Sequence, residues 1–236
     1  MPRQLRLPLT TPPAWDRESF AASPTSGQAL AALDGWPGWP EGRLALVGPA
    51  GTGKTHLARD WARRCGAVVI AAASPKSTGG HAPLDLAALR GRPLLVEDVD
   101  RRADGDLVDD ETLFHLINMA GVDGGSLLLT GRLAPVAWEA GVPDLRSRLN
   151  ALSVARIEEP DDLVLAAVLR RGFEAAGIRP AADLYPYLMA RLPRSAPAAL
   201  AAVAALDEAA SDQGREVNKA LALAVLDFGD VPGDED

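Results

Sequence analysis

Short apolar runs recur along the chain from Leu44 onward: "LALVG", "AVVIAAA", "PLLVED", "SLLLTG" and "LSVARI". Each is bounded by turn residues, and helix-compatible segments separate one from the next. The runs are continuous rather than alternating, which predicts strands covered on both faces, and therefore a parallel sheet with helices on either side. Five such strands predict a doubly wound α/β domain over residues 15–158. After "EEPDD" the strand pattern stops. Helical periodicity then predicts helices over Asp162–Ala175, Ala182–Leu192, Pro197–Ser211 and Asn218–Asp227, a small all-helical subdomain over residues 159–228. Residues 229–236, "GDVPGDED", read as an acidic tail that frays.

Upstream of the first strand the texture is different. In "TTPPAW" and "DGWPGWPEG" repeated prolines remove backbone donors and forbid a continuous helix, so residues up to 42 are expected to wrap the domain, with one short helix near Ser26–Leu33. Residues 1–14 form an extended arm holding Gln4-Leu5-Arg6-Leu7-Pro8-Leu9, three leucines in six residues where no core needs them. No internal repeat is present.

Composition narrows the classes of function. With 236 residues and 47% hydrophobic content the chain can bury an ordinary core. Acidic residues outnumber basic ones 32 to 24, a net charge of -8, so the basic surplus that phosphate-backbone binding needs is missing and duplex DNA is not expected as a direct ligand. The single Cys65 cannot form an intrachain disulfide, the N-terminus carries no apolar signal-peptide run, and no apolar stretch reaches about 18 residues. A cytoplasmic protein with no membrane partner is the expectation. Lys54, Lys76 and Lys219 are the only lysines, which draws attention to where Lys54 stands.

It stands in "LALVGPAGTGKTHLA", where Gly48, Gly53, Lys54 and Thr55 fit G-x-x-x-x-G-K-[ST] directly after an apolar strand and before a helix. In such a loop the backbone amides curl around phosphates, the lysine reaches the outer phosphate oxygens, the threonine hydroxyl binds magnesium, and the helix N-terminus adds its positive dipole end. Gly48, Pro49, Ala50, Gly51, Thr52, Gly53, Lys54, Thr55 and His56 are therefore the candidate nucleotide-binding residues, with ADP or ATP and Mg2+ as cofactors. A phosphate loop needs an acidic partner on a neighbouring strand, and "PLLVEDVD" offers Glu97 and Asp98. The first carboxylate would join Thr55 around the metal and the second would polarise water. Glu then Asp, in place of Asp then Glu, argues for slow intrinsic hydrolysis. Thr130 ends the "SLLLTGR" strand where a sensor of the terminal phosphate would sit, and Arg132 follows it. "GVPDLRSRLNAL" places Arg146 and Arg148 on a short helix, from which an arginine can stabilise transition-state charge on a neighbouring subunit's nucleotide.

Together these residues resemble the AAA+ ATPases and, more narrowly, the group formed by the bacterial initiator DnaA and the Hda-type regulators of DnaA. "GPAGTGKTHLA" is similar to the DnaA-type phosphate loop, with His56-Leu57 after the threonine. "LLLTGR" is similar to the family's sensor I strand, and "DLRSRL" to the segment whose last arginine, Arg148, is the arginine finger. The resemblance spans residues 15–227 and implies an AAA+ domain of five parallel strands followed by a helical lid. The DNA-binding and helicase-contacting domains of DnaA itself are not expected here.

Within this resemblance the opening hexamer is similar to the peptide by which Hda-type proteins bind the sliding clamp, the beta subunit of DNA polymerase III. Gln4, Leu5, Leu7, Pro8 and Leu9 are the clamp-binding candidates: Pro8 stiffens an extended peptide whose leucines enter an apolar cleft. One departure stands out. The lid stretch "RLPRSAPAALAAVAALDEA" has Pro197 or an alanine where the family carries its sensor II arginine, and Arg194 lies a helical turn earlier. The implied function is a regulator of replication initiation that stimulates ATP hydrolysis by DnaA through Arg148. It meets DNA only indirectly through the clamp, and a homodimer stays open. The rival readings are an autonomous AAA+ ATPase such as a helicase loader, with Lys54, Asp98 and Arg148 acting in a homo-oligomer, and a nucleotide-bound adaptor without catalytic role.

Overall fold

The apolar runs become β1 (Arg43–Val47), β2 (Val68–Ala71), β3 (Pro93–Glu97), β4 (Ser126–Gly131) and β5 (Val154–Arg156) in a computed structural model. The structure describes Arg17, Phe20 and residues 26–72, 84–103 and 106–226. The strands form one five-stranded sheet in the order β2-β3-β4-β1-β5, every pair parallel. Successive side chains of a strand point to opposite faces, and here both faces are buried. Ala45 and Val47 of β1, Leu94 and Val96 of β3, and Leu127 and Leu129 of β4 join one core; Leu44, Leu46, Leu95 and Leu128 join the other. That is why these segments read as unbroken apolar runs. The expectation of two-sided cover holds for these central strands. It fails at the edges of the sheet, where Val69 of β2 and Val154 of β5 stay 42% and 46% exposed.

Two helices that frame the phosphate loop cover the second core. α1 (Gly27–Asp34) and α2 (Lys54–Cys65) bury Ala29, Leu33, Leu57 and Trp61 against it. The proline-rich segment after α1 is pinned through its tryptophans. Trp39 stacks on Trp61 with centroids 5.1 Å apart, and Trp36 meets the same ring edge-on at 6.3 Å. The Trp39 indole N–H donates to the Ala32 carbonyl at 2.7 Å and the Trp36 N–H to Ser126 Oγ at 3.0 Å. The other face carries α3 (Leu86–Leu89), α4 (Asp110–Met119) and α5 (Pro143–Asn150), which contribute Leu89, Leu113, Leu116, Ile117, Leu145 and Leu149.

Past β5 the chain builds a separate helical core from α6 (Asp162–Ala175), α7 (Leu184–Met189), α8 (Ala196–Gln213) and α9 (Lys219–Val225). The starts of α6, α8 and α9 are set by side-chain caps: Asp161, Ser195 and Asn218 each accept an N–H from the first turn of the helix they precede. α6 has the bounds expected from sequence. α7 is shorter than the Ala182–Leu192 expectation. α9 begins one residue later than expected because Asn218 is its cap rather than its first turn. Among the described residues no helix is long and apolar enough to cross a membrane.

The tryptophan stack supplies a test of what holds the second core together. Trp61 is 1% exposed, so Trp61→Ala is expected to cost about 3–5 kcal/mol, read from urea unfolding followed by circular dichroism. Leu223→Ala on α9, where the side chain is 69% exposed, should change stability by less than about 0.5 kcal/mol.

Candidate functional site

The chain leaves β1 for the far edge of the sheet and returns through β3 and β4 to its side. Ligands of open α/β sheets bind beyond the carboxyl ends of the strands where the strand order reverses in this way, and residues 48–53 occupy that place. The loop is held on both sides. Gly48 has φ 156°, and a Cβ there would lie 2.2 Å from the Ile157 carbonyl oxygen, just past β5. Gly51 has φ 77°, and a Cβ there would strike Ser195 Oγ at 2.2 Å. The Ala196 N–H donates to the Gly51 carbonyl at 3.2 Å, so the start of α8 is tied to the loop.

α2 begins at Lys54, and its N-terminus faces the loop. Lys54 is 8% exposed, and its Nζ donates to the carbonyls of Gly48 and Pro49, each at 2.6 Å. Burial pushes the lysine pKa down; Asp98 and Asp100 oppose that shift, whereas Arg132 adds to it. Beside Lys54 lies a cavity of about 490 Å³, lined on the loop side by Ala50, Gly51, Gly53, Lys54, Thr55 and His56. The strand ends contribute Asp98, Arg101 and Arg132, and the lid contributes Ala196, Pro197 and Leu200. A second, apolar cavity of about 160 Å³ shares Gly53, His56, Ala196 and Leu200 with it and adds Phe20, Thr52, Pro160, Val164, Val168 and Arg171. The cavity at the head of α2 carries Lys54 and the loop amides and adjoins an apolar slot, a combination that suits a phosphate chain with a less polar group beside it.

The acidic pair separates. Asp98, with φ 55°, turns out of β3, is 45% exposed at its side chain and faces the cavity; its N–H donates to Thr130 Oγ at 3.0 Å. Thr130 is 2% exposed on β4, paired in register with Leu46 of β1. Glu97 is turned toward α2 instead, where Arg59 Nη2 lies 2.6 Å from Oε2 and Nε 3.4 Å from Oε1; this hydrogen bond raises the Arg59 pKa. Glu97 is not in the lining of the cavity. Thr55 and Asp98 thus bring side-chain oxygens to the lining of that space, whereas Glu97 is engaged by Arg59. Among the described residues no group of three His, Cys, Asp or Glu side chains could hold a metal by itself.

Arg148 stands elsewhere. It is exposed on the last turn of α5 and makes no ion pair or hydrogen bond through its side chain among the described residues. Its charge is felt by Arg43, whose pKa is lowered first by burial and then by Arg148. Arg43 begins β1 and the phosphate loop follows the end of that strand, so Arg148 lies toward the opposite end of the sheet from Lys54. Arg146 donates to the Val136 carbonyl at 3.0 Å. Arg194 is held at the lid hinge by the Pro160 carbonyl at 3.3 Å and by Asp162 at 2.8 Å, and the lid wall of the cavity carries no charge. Gln4, Leu5, Leu7, Pro8 and Leu9 lie outside the described residues. Arg101 and the Arg59–Glu97 pair went unrecognised in the sequence because nothing local marks a distant arginine as part of a site. The same is true of Phe20, whose ring lies 5.8 Å from His56.

Neither a family model nor a curated protein matches the sequence. Solved structures do. Domain III of the Thermotoga maritima replication initiation protein DnaA superposes with a TM-score of 0.71 at 21% identity, covering 91% of this chain and 96% of that one. The T. maritima RuvB Holliday junction branch migration motor gives 0.65 at 16% identity, covering 89% and 70%. A replication initiator DnaA bound to AMPPCP and single-stranded DNA gives 0.64 at 16%, covering 86% and 68%. At these identities the likeness is one of fold. The chain has the α/β AAA+ fold, five parallel strands followed by a helical lid.

The placement of α5 depends on a buried arginine. Arg102 Nη2 pairs with Asp110 Oδ1 at 2.7 Å and reaches the Glu139 carbonyl, Nη1 donates to the Val99 carbonyl at 2.9 Å, and Asp110 Oδ2 accepts the Gly141 N–H at 2.6 Å. Burial raises the Asp110 pKa. The hydrogen bonds from Arg102, Gly141 and Val142, together with the Arg102 charge, outweigh it and hold the carboxyl below the ordinary value of 3.8. A depressed carboxyl stabilises the fold fully above the unfolded pKa and loses that contribution as pH falls through the folded one. The stability advantage of the wild type over Asp110→Asn is therefore expected to be constant from about pH 5 upward and to shrink below about pH 4, measured as denaturation midpoints across that range.

Proposed function

We propose that this protein binds ADP or ATP with magnesium in the cavity beside Lys54 and works as an Hda-type regulator that stimulates ATP hydrolysis on DnaA. The loop amides and Lys54 hold the phosphates, Thr55 and Asp98 face the metal, and Phe20 with the lid covers the base. A bound nucleotide supplies the polyanion that draws loop and lid together. The observation that carries the reading is Arg148: an exposed arginine without a partner among the described residues, at the end of the sheet away from its own phosphate loop. Among the described residues it has no carboxylate partner. Its planar, permanently charged fork suits the terminal phosphate of a neighbouring subunit's nucleotide, which the resemblance assigns to ATP-bound DnaA.

An autonomous ATPase is the weaker alternative, because Glu97 is engaged by Arg59 and the lid arginine at the site, Arg171, lines the apolar slot rather than the cavity beside Lys54. Tethering to the clamp rests on the sequence of residues 4–9, and the setting it implies is the bacterial cytoplasm.

Arg148→Ala is expected to keep the melting temperature and nucleotide affinity while losing stimulation of DnaA-bound ATP hydrolysis by about a thousandfold. The assay is hydrolysis on DnaA with clamp and DNA present. Stimulation that survives the substitution would favour the adaptor reading. The doubly substituted Leu7→Ala, Leu9→Ala protein should melt as wild type and bind the clamp about a hundredfold more weakly, since a buried leucine is worth about 1.5–3 kcal/mol. Surface plasmon resonance on immobilised clamp reads the loss. Intact binding with a lowered melting temperature would make the hexamer a structural strap instead.

A further inference from the structure

The lid carries two cations on one aromatic ring, away from the phosphate cavity. Arg191 and Lys219 both lie over Tyr187, the guanidinium carbon 4.4 Å and the ammonium nitrogen 5.1 Å from the ring centroid. Their charges are therefore no farther apart than about 10 Å, roughly one Debye length at 0.1 M salt, so they repel each other. The face of a tyrosine attracts cations but carries no net charge, and among the described residues neither Arg191 nor Lys219 has an ion pair or a side-chain hydrogen bond. We infer that this patch is the docking site of the acidic segment 227–236 of the same chain, which acts there as an electrostatic latch and closes the patch to other anions.

The receptor is built on fixed backbone. Tyr187 is buried in the lid core on α7. The Arg191 N–H donates to the Leu188 carbonyl at 3.1 Å just past that helix, and Lys219 opens α9 behind Asn218, whose side chain accepts the Leu221 N–H at 3.0 Å. The Ala181 N–H donates to the Val217 carbonyl at 3.4 Å, which joins the approach to α7 to the approach to α9. Two cations carried by separate, anchored helix ends are preorganised for carboxylates, and only side chains need to settle on binding. The acids that lead into these helices, Asp183 and Glu216, pair with neither cation among the described residues.

The segment 227–236, which lies outside the described residues, has the matching charge and reach. "DFGDVPGDED" holds Asp227, Asp230, Asp234, Glu235 and Asp236 and no basic residue. It follows α9, which starts at Lys219 and is about 10 Å long. A chain leaving the far end of that helix covers the same distance back in about three or four extended residues, which brings Asp230 and the acids after it within range of Lys219 and Arg191. Gly229, Pro232 and Gly233 are the residue types that turn a chain. Held by so short a tether, the carboxylates meet the cations at an effective concentration on the order of millimolar, so exposed ion pairs that are weak singly form together.

A zero-length carbodiimide, which condenses a carboxylate with an amine only where the two touch, tests the latch in the full chain. Trypsin does not cut at a condensed lysine, and after Arg215 no other lysine or arginine follows Lys219, so an internal bridge leaves the peptide from Glu216 through residue 236 one water lighter. Fragmentation in the mass spectrometer then locates the bridge. At low salt Lys219 is expected to be joined to a carboxylate within residues 227–236. The yield should fall about fivefold or more in Arg191→Gln, and likewise at about 0.5 M salt, where screening leaves only contacts of a few ångströms. Arg191→Lys should restore it. Melting followed by circular dichroism establishes that both variants fold as wild type. A bridge from Lys219 only to Asp183 or Glu216, a bridge between two copies of the peptide, no bridge at all, or a tail bridge whose yield does not fall in Arg191→Gln would overturn the inference.

Discussion

A side chain at Gly51 would collide with Ser195 on the lid, and one at Gly48 would collide with the Ile157 carbonyl beyond β5. The phosphate loop is therefore a strip of bare backbone pressed between two other parts of the chain, and much else follows from that. Without Cβ atoms the loop turns at positive φ, so its amides are free to face an anion rather than a strand. The Gly51 carbonyl takes the Ala196 N–H, so the first turn of α8 sits directly over the cavity. The lid meets the loop through this close backbone contact, and Ala196, Pro197 and Leu200 are what it presents to the cavity.

Charge is distributed with similar economy. The chain is rich in arginine and poor in lysine, and most arginines near the strand ends serve architecture. Arg59 fastens α2 to β3 through Glu97, and Arg102 fastens α4 to the segment ahead of α5 through Asp110 and the Glu139 carbonyl. Such pairs hold where each partner keeps its hydrogen bonds, and removing one partner leaves a buried charge uncompensated. Arg132 and Arg148, by contrast, have no side-chain hydrogen bond or ion pair among the described residues. One lines the chain's own phosphate cavity and the other lies toward the far end of the sheet.

Much of the architecture was legible in the residues themselves, and the reasons are local. Unbroken apolar runs such as "LLLTG" arise only where both faces of a strand are covered, so they announced a parallel sheet before any pairing was known. The loop motif between β1 and α2 could be read because it constrains backbone conformation over a few consecutive residues, and the Asp161, Ser195 and Asn218 caps lie within three residues of the N–H groups they satisfy. The edge exposure of β2 and β5 was not legible, because a strand's own residues do not say which neighbours it has.

What the sequence determined by itself, then, was the fold class, the position of the phosphate loop and the absence of an arginine at the lid position, all properties of contiguous residues. Tertiary structure alone decided how the charges are shared: that Glu97 turns to Arg59 while the adjacent Asp98 faces the cavity, that Thr130 accepts the Asp98 N–H, that Phe20 lines the slot beside His56, and that Arg132 enters the site while Arg194 is drawn off to Asp162. Those outcomes depend on distances between residues tens of positions apart. An arginine has the same composition, periodicity and charge whether its guanidinium ends in a salt bridge or in an open cavity, and only the folded chain brings it to one or the other.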